Sequence, residues 1–299
     1  MMNNRLQCIK LQALAILLFM LSDIVVAAKI EKIDKTIPLI DIKSIEVINH
    51  RGKISFEGKE TDSLTITGSL DEQAIALNIS QQQNRLVLDV QLPEHLAPEK
   101  GSNLKITLPG SIAIQVKGIS SQWRFKHTFA VQIETVGGDI RLADVLGDVT
   151  IDAVSADIDI QNVQGNLTID SLSGKIMLAE IAGLVEVSSV EGNIQFLQKM
   201  INQAFLSNVK GSISVKGQLS AGAWLNVDSV DGNILLNLGQ SDSFRSIINV
   251  LEDGEIINQL SEKGQKSTDE KGQYLNVIVG DGLAQIIATT VSGKVKLMK

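Results

Sequence analysis

Between residues 45 and 118, apolar and polar residues alternate in short runs: "IEVINH", "KISFEG", "LTITGS", "AIALNIS", "RLVLDVQL", "LKITLP" and "IAIQVKG". Successive side chains of a strand point to opposite faces, so a period of two predicts half-buried β-strands. Gly, Asn, Asp and Pro separate the runs and predict turns. The clearest loop is "LPEHLAPEKGSN", residues 92–103.

From Val136 the pattern acquires a nine-residue period. Units begin at Val136, Val145, Val154, Val163, Leu172, Ile181 and Val190 without exception. Their third position is Gly138, Gly147, Gly165, Gly174, Gly183 or Gly192, with Ala156 as the departure. The fifth is always aliphatic (Ile140, Val149, Ile158, Leu167, Ile176, Val185, Ile194). The seventh runs Leu142, Ile151, Ile160, Ile169, Leu178, Val187, Phe196. "NVKGSISV", "SVDGNILL" and "TVSGKVKL" restate the unit further along.

A longer period lies inside the first. Entries of Ser/Ala/Thr type ("DAVSADI", "DSLSGKI", "SSVEGNI") alternate with entries of Asp/Asn/Glu type ("ADVLGDV", "QNVQGNL", "AEIAGLV"). The expected architecture is all-β: an elongated, β-helix-like parallel β-solenoid whose nine-residue strand–turn units pair into 18-residue coils. Coils would stack about 4.8 Å apart, with the fifth and seventh positions inside and glycine supplying a positive φ at the turns. An antiparallel β meander with evenly spaced glycine turns is the alternative. Around this core, residues 29–118 read as an N-terminal β region that caps or starts the solenoid. Residues 119–239 hold the strict repeats and 276–299 a terminal repeat. Between these, 240–275 reads as a polar insertion, a long loop or a short helix with a loop.

Composition supports stacked aliphatic strands. The 299 residues are 44% hydrophobic but only 3% aromatic, with 24 glycines against 4 prolines. The net charge of −7 argues against nucleic acid, which needs a basic stripe. Residues 1–28 read as an export signal: Arg5 and Lys10 precede "LQALAILLFML", and "VVAA" ends at Ala28. The apolar run is short for a membrane span of about 20 residues, and retention as an anchor is the alternative. No later stretch is long and apolar enough to span a bilayer. Cys8, the single cysteine, precedes the apolar run, so the mature chain has no disulfide, thiolate nucleophile or cysteine metal site. The expected location is exported: periplasm, cell envelope or outside the cell.

Candidate chemistry is sparse. A calcium-binding nonapeptide needs G-G-x-G-x-D, and Gly137-Gly138-Asp139 matches only its first fragment. The column after the glycine reads Asp139, Asp148, Asp157, Asn166, Lys175, Leu184, Asn193, which suits turns better than repeated metal sites. Successive coils would stack Asp139 on Asp157 and Asp152 on Asp170, a spacing carboxylate pairs use in glycoside hydrolysis. No Arg, Lys or His recurs beside them as a charge partner. His50, His95 and His127 stand apart, without zinc-ligand spacing. "WRFKH", residues 123–127, reads either as a closure of the solenoid end or as a ligand-facing patch. Trp224 and Tyr274 stand alone. No catalytic, cofactor-binding or metal-binding residues, and no cofactor, are expected.

"IEVINHRGKISFEG", "LKITLPGSIAIQVKG", the run of V-x-G-[DN]-[IV] turns and the closing "GLAQIIATTVSGKVKL" resemble a bacterial envelope family. Its members are exported β-strand-repeat proteins of unknown function, usually named adhesins. The resemblance covers most of the chain from about residue 45. It implies a solenoid-like fold and no defined catalytic residues. The function expected is therefore a non-enzymatic, adhesin-like structural or binding module of the envelope, meeting a polymer or protein partner of unknown identity. The alternatives are a carbohydrate-active enzyme using Asp139/Asp157 or Asp152/Asp170 as acid and base, and a calcium-stabilised adhesin.

Overall fold

The computed structural model describes residues 31–95, 100–252 and 254–299. Residues 1–28, read as an export signal, and with them Cys8, lie outside these residues. All 23 regular elements of the described residues are β-strands.

In the repeats, strands pair in parallel with the strand two units further on. Val131–Gly137, Val149–Ser155, Leu167–Ser173 and Val185–Glu191 form one ladder, with Ile133, Ile151, Ile169 and Val187 aligned. Ile140–Val145, Ile158–Val163 and Ile176–Ile181 form a second, with Ile140, Ile158 and Ile176 aligned. The offset is two units, one whole coil, in both. The repeats are thus not a meander. Four long strands take part in both ladders: Ser44–Lys59, Ala113–Lys126, Ile194–Lys210 and Ile213–Asp231. Buried side chains from the two ladders make one core cluster, and each fully buried Ile or Leu in it contributes about 1.5–3 kcal/mol.

Antiparallel pairing occurs away from the strict repeats. Lys32–Pro38 pairs with Ser63–Ser69, which pairs with Ser102–Pro109, and Ala76–Gln82 pairs with Arg85–Gln91. Towards the C-terminus the stretch read as a polar insertion folds as strands Phe244–Val250, Glu255–Asn258 and Gln265–Asp269. The first alternates buried Phe244, Ser246, Ile248 and Val250 with more exposed residues and pairs in parallel with Ala284–Ser292. The described residues there form strands where a long loop or a short helix with a loop was expected; "FRSIINV" carries a period of two that the polar residues after it obscure.

The corner glycines let neighbouring coils approach closely, and those of one corner also take a positive φ. At that corner Gly138, Gly174 and Gly192 have positive φ, as expected, and a Cβ on any of them would overlap the backbone one coil earlier. At the other corner Gly147, Gly165 and Gly183 lack the positive φ, but a Cβ on Gly165 or Gly183 would likewise overlap the backbone of the equivalent glycine one coil earlier. Ala156 is accommodated because its φ is not positive.

The aspartates after the glycines tie coil to coil. The Lys175 N–H donates to Asp157 Oδ1 (2.8 Å), Asn166 N–H to Asp148 Oδ1 (2.8 Å) and Leu184 N–H to Asn166 Oδ1 (3.0 Å). Asp and Asn present the same acceptor, so the column can drift between them without losing the bond.

"WRFKH" is neither an end closure nor a ligand-facing patch. Trp123 and Phe125 are buried, and Phe56 from the neighbouring strand stacks on Phe125 at 4.7 Å between centroids and on Trp123 at 6.5 Å. Strands lie on both sides of this aromatic ladder: Ser44–Lys59 on one, Ile140–Val145 on the other.

Candidate functional site

One residue per coil decides which side chains reach the surface. Asp144, Asn162 and Glu180 adopt the left-handed conformation, with φ of 58°, 56° and 58°. Each is skipped in its ladder, where Ala143 aligns with Gln161 and Val145 with Val163. The bulge reverses the alternation, so Val145, Val163 and Ile181 turn inward and are buried. Asp and Asn tolerate this conformation better than most residues, which accounts for Asp144 and Asn162; Glu180 has no such preference.

The other half-coil also skips one register position, at Val136, Val154, Leu172 and Val190, but no residue there is left-handed, and burial alternates without a break up to that position. Val136, Val154, Leu172 and Val190 occupy the same unit position as Val145 yet face outward. Ile119 precedes them, and Val209 and Val230 continue the row, with exposures from 41% to 51%. The register places them on consecutive rungs: their neighbours Gly118, Thr135, Ala153, Ser171, Ser189, Asn208 and Ser229 align in sequence. Rungs spaced about 4.8 Å apart make this an aliphatic stripe about 29 Å long. Buried hydroxyls just inside secure the corner, Thr135 Oγ1 donating to the Gly137 carbonyl (2.9 Å) and Ser171 Oγ to that of Ser173 (3.2 Å).

Two residues before the stripe, on the same outer surface, runs an aligned polar column: Lys117, Glu134, Asp152, Asp170, Ser188. Lys117 is engaged by Glu46 (3.5 Å) and Glu134 (3.7 Å), whereas no ion pair is found for Asp152 or Asp170 among the described residues. Burial pushes the Asp152 carboxyl above the usual aspartate range, and the Asp170 and Glu134 charges push it the same way. Column and stripe form the walls of an open trough of about 780 Å³ reaching from Lys117 to Val190. A second depression of about 440 Å³ shares Asp170 and Ser188 with it and adds Glu186, Phe205 and Asp228.

Asp152 and Asp170 are therefore brought together in register, as the two-unit spacing implies. Asp139 and Asp157 are also brought near, in a small depression of about 120 Å³ with Arg141, Asp159 and Lys175. Cations do stand beside this second pair, contrary to expectation. One Asp157 oxygen is committed to the Lys175 backbone, however. His127 reaches Asp144 (Nε2 to Oδ2, 3.3 Å). No group of three His, Cys, Asp or Glu that could hold a metal ion occurs among the described residues.

Residues 20–297 match the family model described as Toastrack DUF4097. The chain belongs to this family. A Toastrack chain is thus what carries the stripe and the acidic column. Among solved structures, this chain is similar to a "putative cell adhesion protein" of Clostridium sporogenes ATCC 15579 (11% identity, TM-score 0.24, 90% of this chain and 99% of that one). It is also similar to a "putative adhesin" of Bacteroides fragilis NCTC 9343 (15% identity, TM-score 0.42, 90% and 97%). No curated protein matches the chain.

Proposed function

We propose that this Toastrack protein is a non-enzymatic, exported binding module of the cell envelope, adhesin-like in role, whose strands form a β-solenoid presenting a docking surface. The observation that carries the reading is the outward aliphatic stripe. A coil solves the packing problem at Val145 with a bulge and leaves it unsolved at Val154, rung after rung. Exposed apolar patches of this extent mark interaction surfaces. An open trough suits binding better than turnover, Asp157 of the other carboxylate pair is committed to the Lys175 N–H, and an export signal at residues 1–28 would deliver the chain to the envelope.

The test is retention of purified chain on washed envelope fractions. Wild-type protein is expected to be retained and Leu172→Asp, at the middle of the stripe, to be lost from the bound fraction. Met177→Asp, on the second ladder, should behave as wild type. Equal retention of all three proteins, or retention of none, would overturn the reading.

A further inference from the structure

The stripe alone does not say what covers it; the charge beside it does. From Glu134 to Asp228 the outer surface of the first ladder carries Glu134, Asp152, Asp170, Glu186 and Asp228 around the two depressions. Among the described residues, their only lining cation is Lys117, already engaged by Glu46 and Glu134. The outer surface of the second ladder is mixed instead, with Arg141, Asp159, Met177 and Gln195 aligned. Acidity is thus concentrated on the face that bears the stripe. Stacking Asp152 on Asp170 one rung apart costs stability, since like charges in directly paired positions repel. A ligand bringing positive charge to that column would relieve the repulsion.

Resting on the binding-module reading, we infer that the trough takes a cationic amphipathic α-helix of a protein partner, apolar face on the stripe and basic side chains on the Glu134–Asp152–Asp170 column. The charge excludes the competing occupants. Anionic lipid and polyanionic glycan would be repelled by the acidic column. A second copy docking by the same face would set carboxylates against carboxylates, on a chain of net charge −7. The spacing favours a helix over an extended chain. Helical turns repeat every ~5.4 Å, close to the rung spacing of about 4.8 Å. Alternate side chains of a strand recur every ~6.6 Å and fall out of step with it at once. The four rungs from Val136 to Val190 span about 14 Å, which ten helical residues cover at about 1.5 Å each. Laying an apolar helical face in a groove is an established mode of recognition.

Two helical peptides of five turns with identical leucine spacing, one with lysine and one with glutamate on the polar face, test this by fluorescence anisotropy with the full chain. The lysine peptide is expected to bind and the glutamate peptide not. Asp152→Asn with Asp170→Asn should weaken lysine-peptide binding about tenfold and flatten its salt dependence. Asp159→Asn, on the other ladder, should leave binding unchanged. Equal binding of both peptides, or binding indifferent to the double substitution, would overturn the cationic partner. So would concentration-dependent dimers abolished by Leu172→Asp, which would assign the stripe to a second copy, or capture by anionic vesicles. Should the lysine peptide fail to bind while envelope retention is still lost in Leu172→Asp, this inference falls and the binding-module reading stands. If retention ignores Leu172→Asp, that reading falls as well.

Discussion

Replacing Gly192 by alanine isolates what the corner glycines contribute. Gly192 sits at φ 143°, a region essentially closed to residues with a Cβ, and a Cβ there would overlap the carbonyl oxygen of Gly174 one coil earlier. Strained backbone costs about 1–3 kcal/mol. Displacing close-packed backbone adds about 1–3 kcal/mol, by analogy with overpacked cores. Alanine lowers the entropy of the unfolded chain, returning about 0.4–1 kcal/mol. The net expectation is a loss of about 1–5.6 kcal/mol, read as a lower midpoint in equilibrium urea denaturation. Gly222 is the control: φ is 75°, also positive, but a Cβ there meets nothing within 4 Å. Gly222→Ala should lose only about 1 kcal/mol. Equal losses for Gly192→Ala and Gly222→Ala would refute the claim that coil-on-coil contact dictates glycine at this corner.

Three further outcomes rest on named contacts. Asp71 is buried and paired with Arg51, and also accepts the Gln73 N–H (2.9 Å). Burial pushes its carboxyl up, but Arg51 and the Gln73 N–H outweigh this and hold it below the ordinary 3.8. Asp71→Ala should cost about 3 kcal/mol in denaturation at neutral pH. That contribution should disappear as pH falls through the depressed value, since protonation removes the pair. Asp152 works in the opposite sense: its raised carboxyl makes ionisation unfavourable to the fold, so Asp152→Asn should raise Tm at pH 7. The gain should vanish below the ordinary 3.8, and a constant gain across a pH series would contradict the assignment. Asp157→Asn should leave stability unchanged because the amide oxygen still accepts the Lys175 N–H, while Asp157→Ala should lose about 0.5–1.5 kcal/mol. A stability loss in the Asn variant equal to that of Ala would show that charge, not the acceptor, matters there.

The inward ladder was legible because the fifth and seventh positions never vary from apolar, and stacking demands this of them. The two-unit offset could be read from the alternating entries, although their cause could not: Asp144 and Asn162 look like turn residues, and only the backbone reveals a bulge. Val145 and Val154, the same residue at the same unit position, are told apart only by the Asp144 or Ala153 before them, and Asp144 reads as an ordinary turn residue. The trough beside the stripe has no sequence signal for the same reason. "WRFKH" misled because its flanking cations draw attention to a surface, whereas its two aromatic rings stack inward on Phe56 from a strand far earlier in the chain. Strand Phe244–Val250 was hidden by the polar residues after it.

The left-handed residue in alternate units also sets the quantum by which such a protein can lengthen. Duplicating a whole coil adds one complete rung, with one valine inside and one outside, and extends the stripe by a step. Duplicating a single unit would bring a bulged strand onto an unbulged one, turning a row of core side chains to water. Gene duplication can therefore tune the length of the aliphatic stripe only in whole coils, leaving every rung already present with the contacts it had.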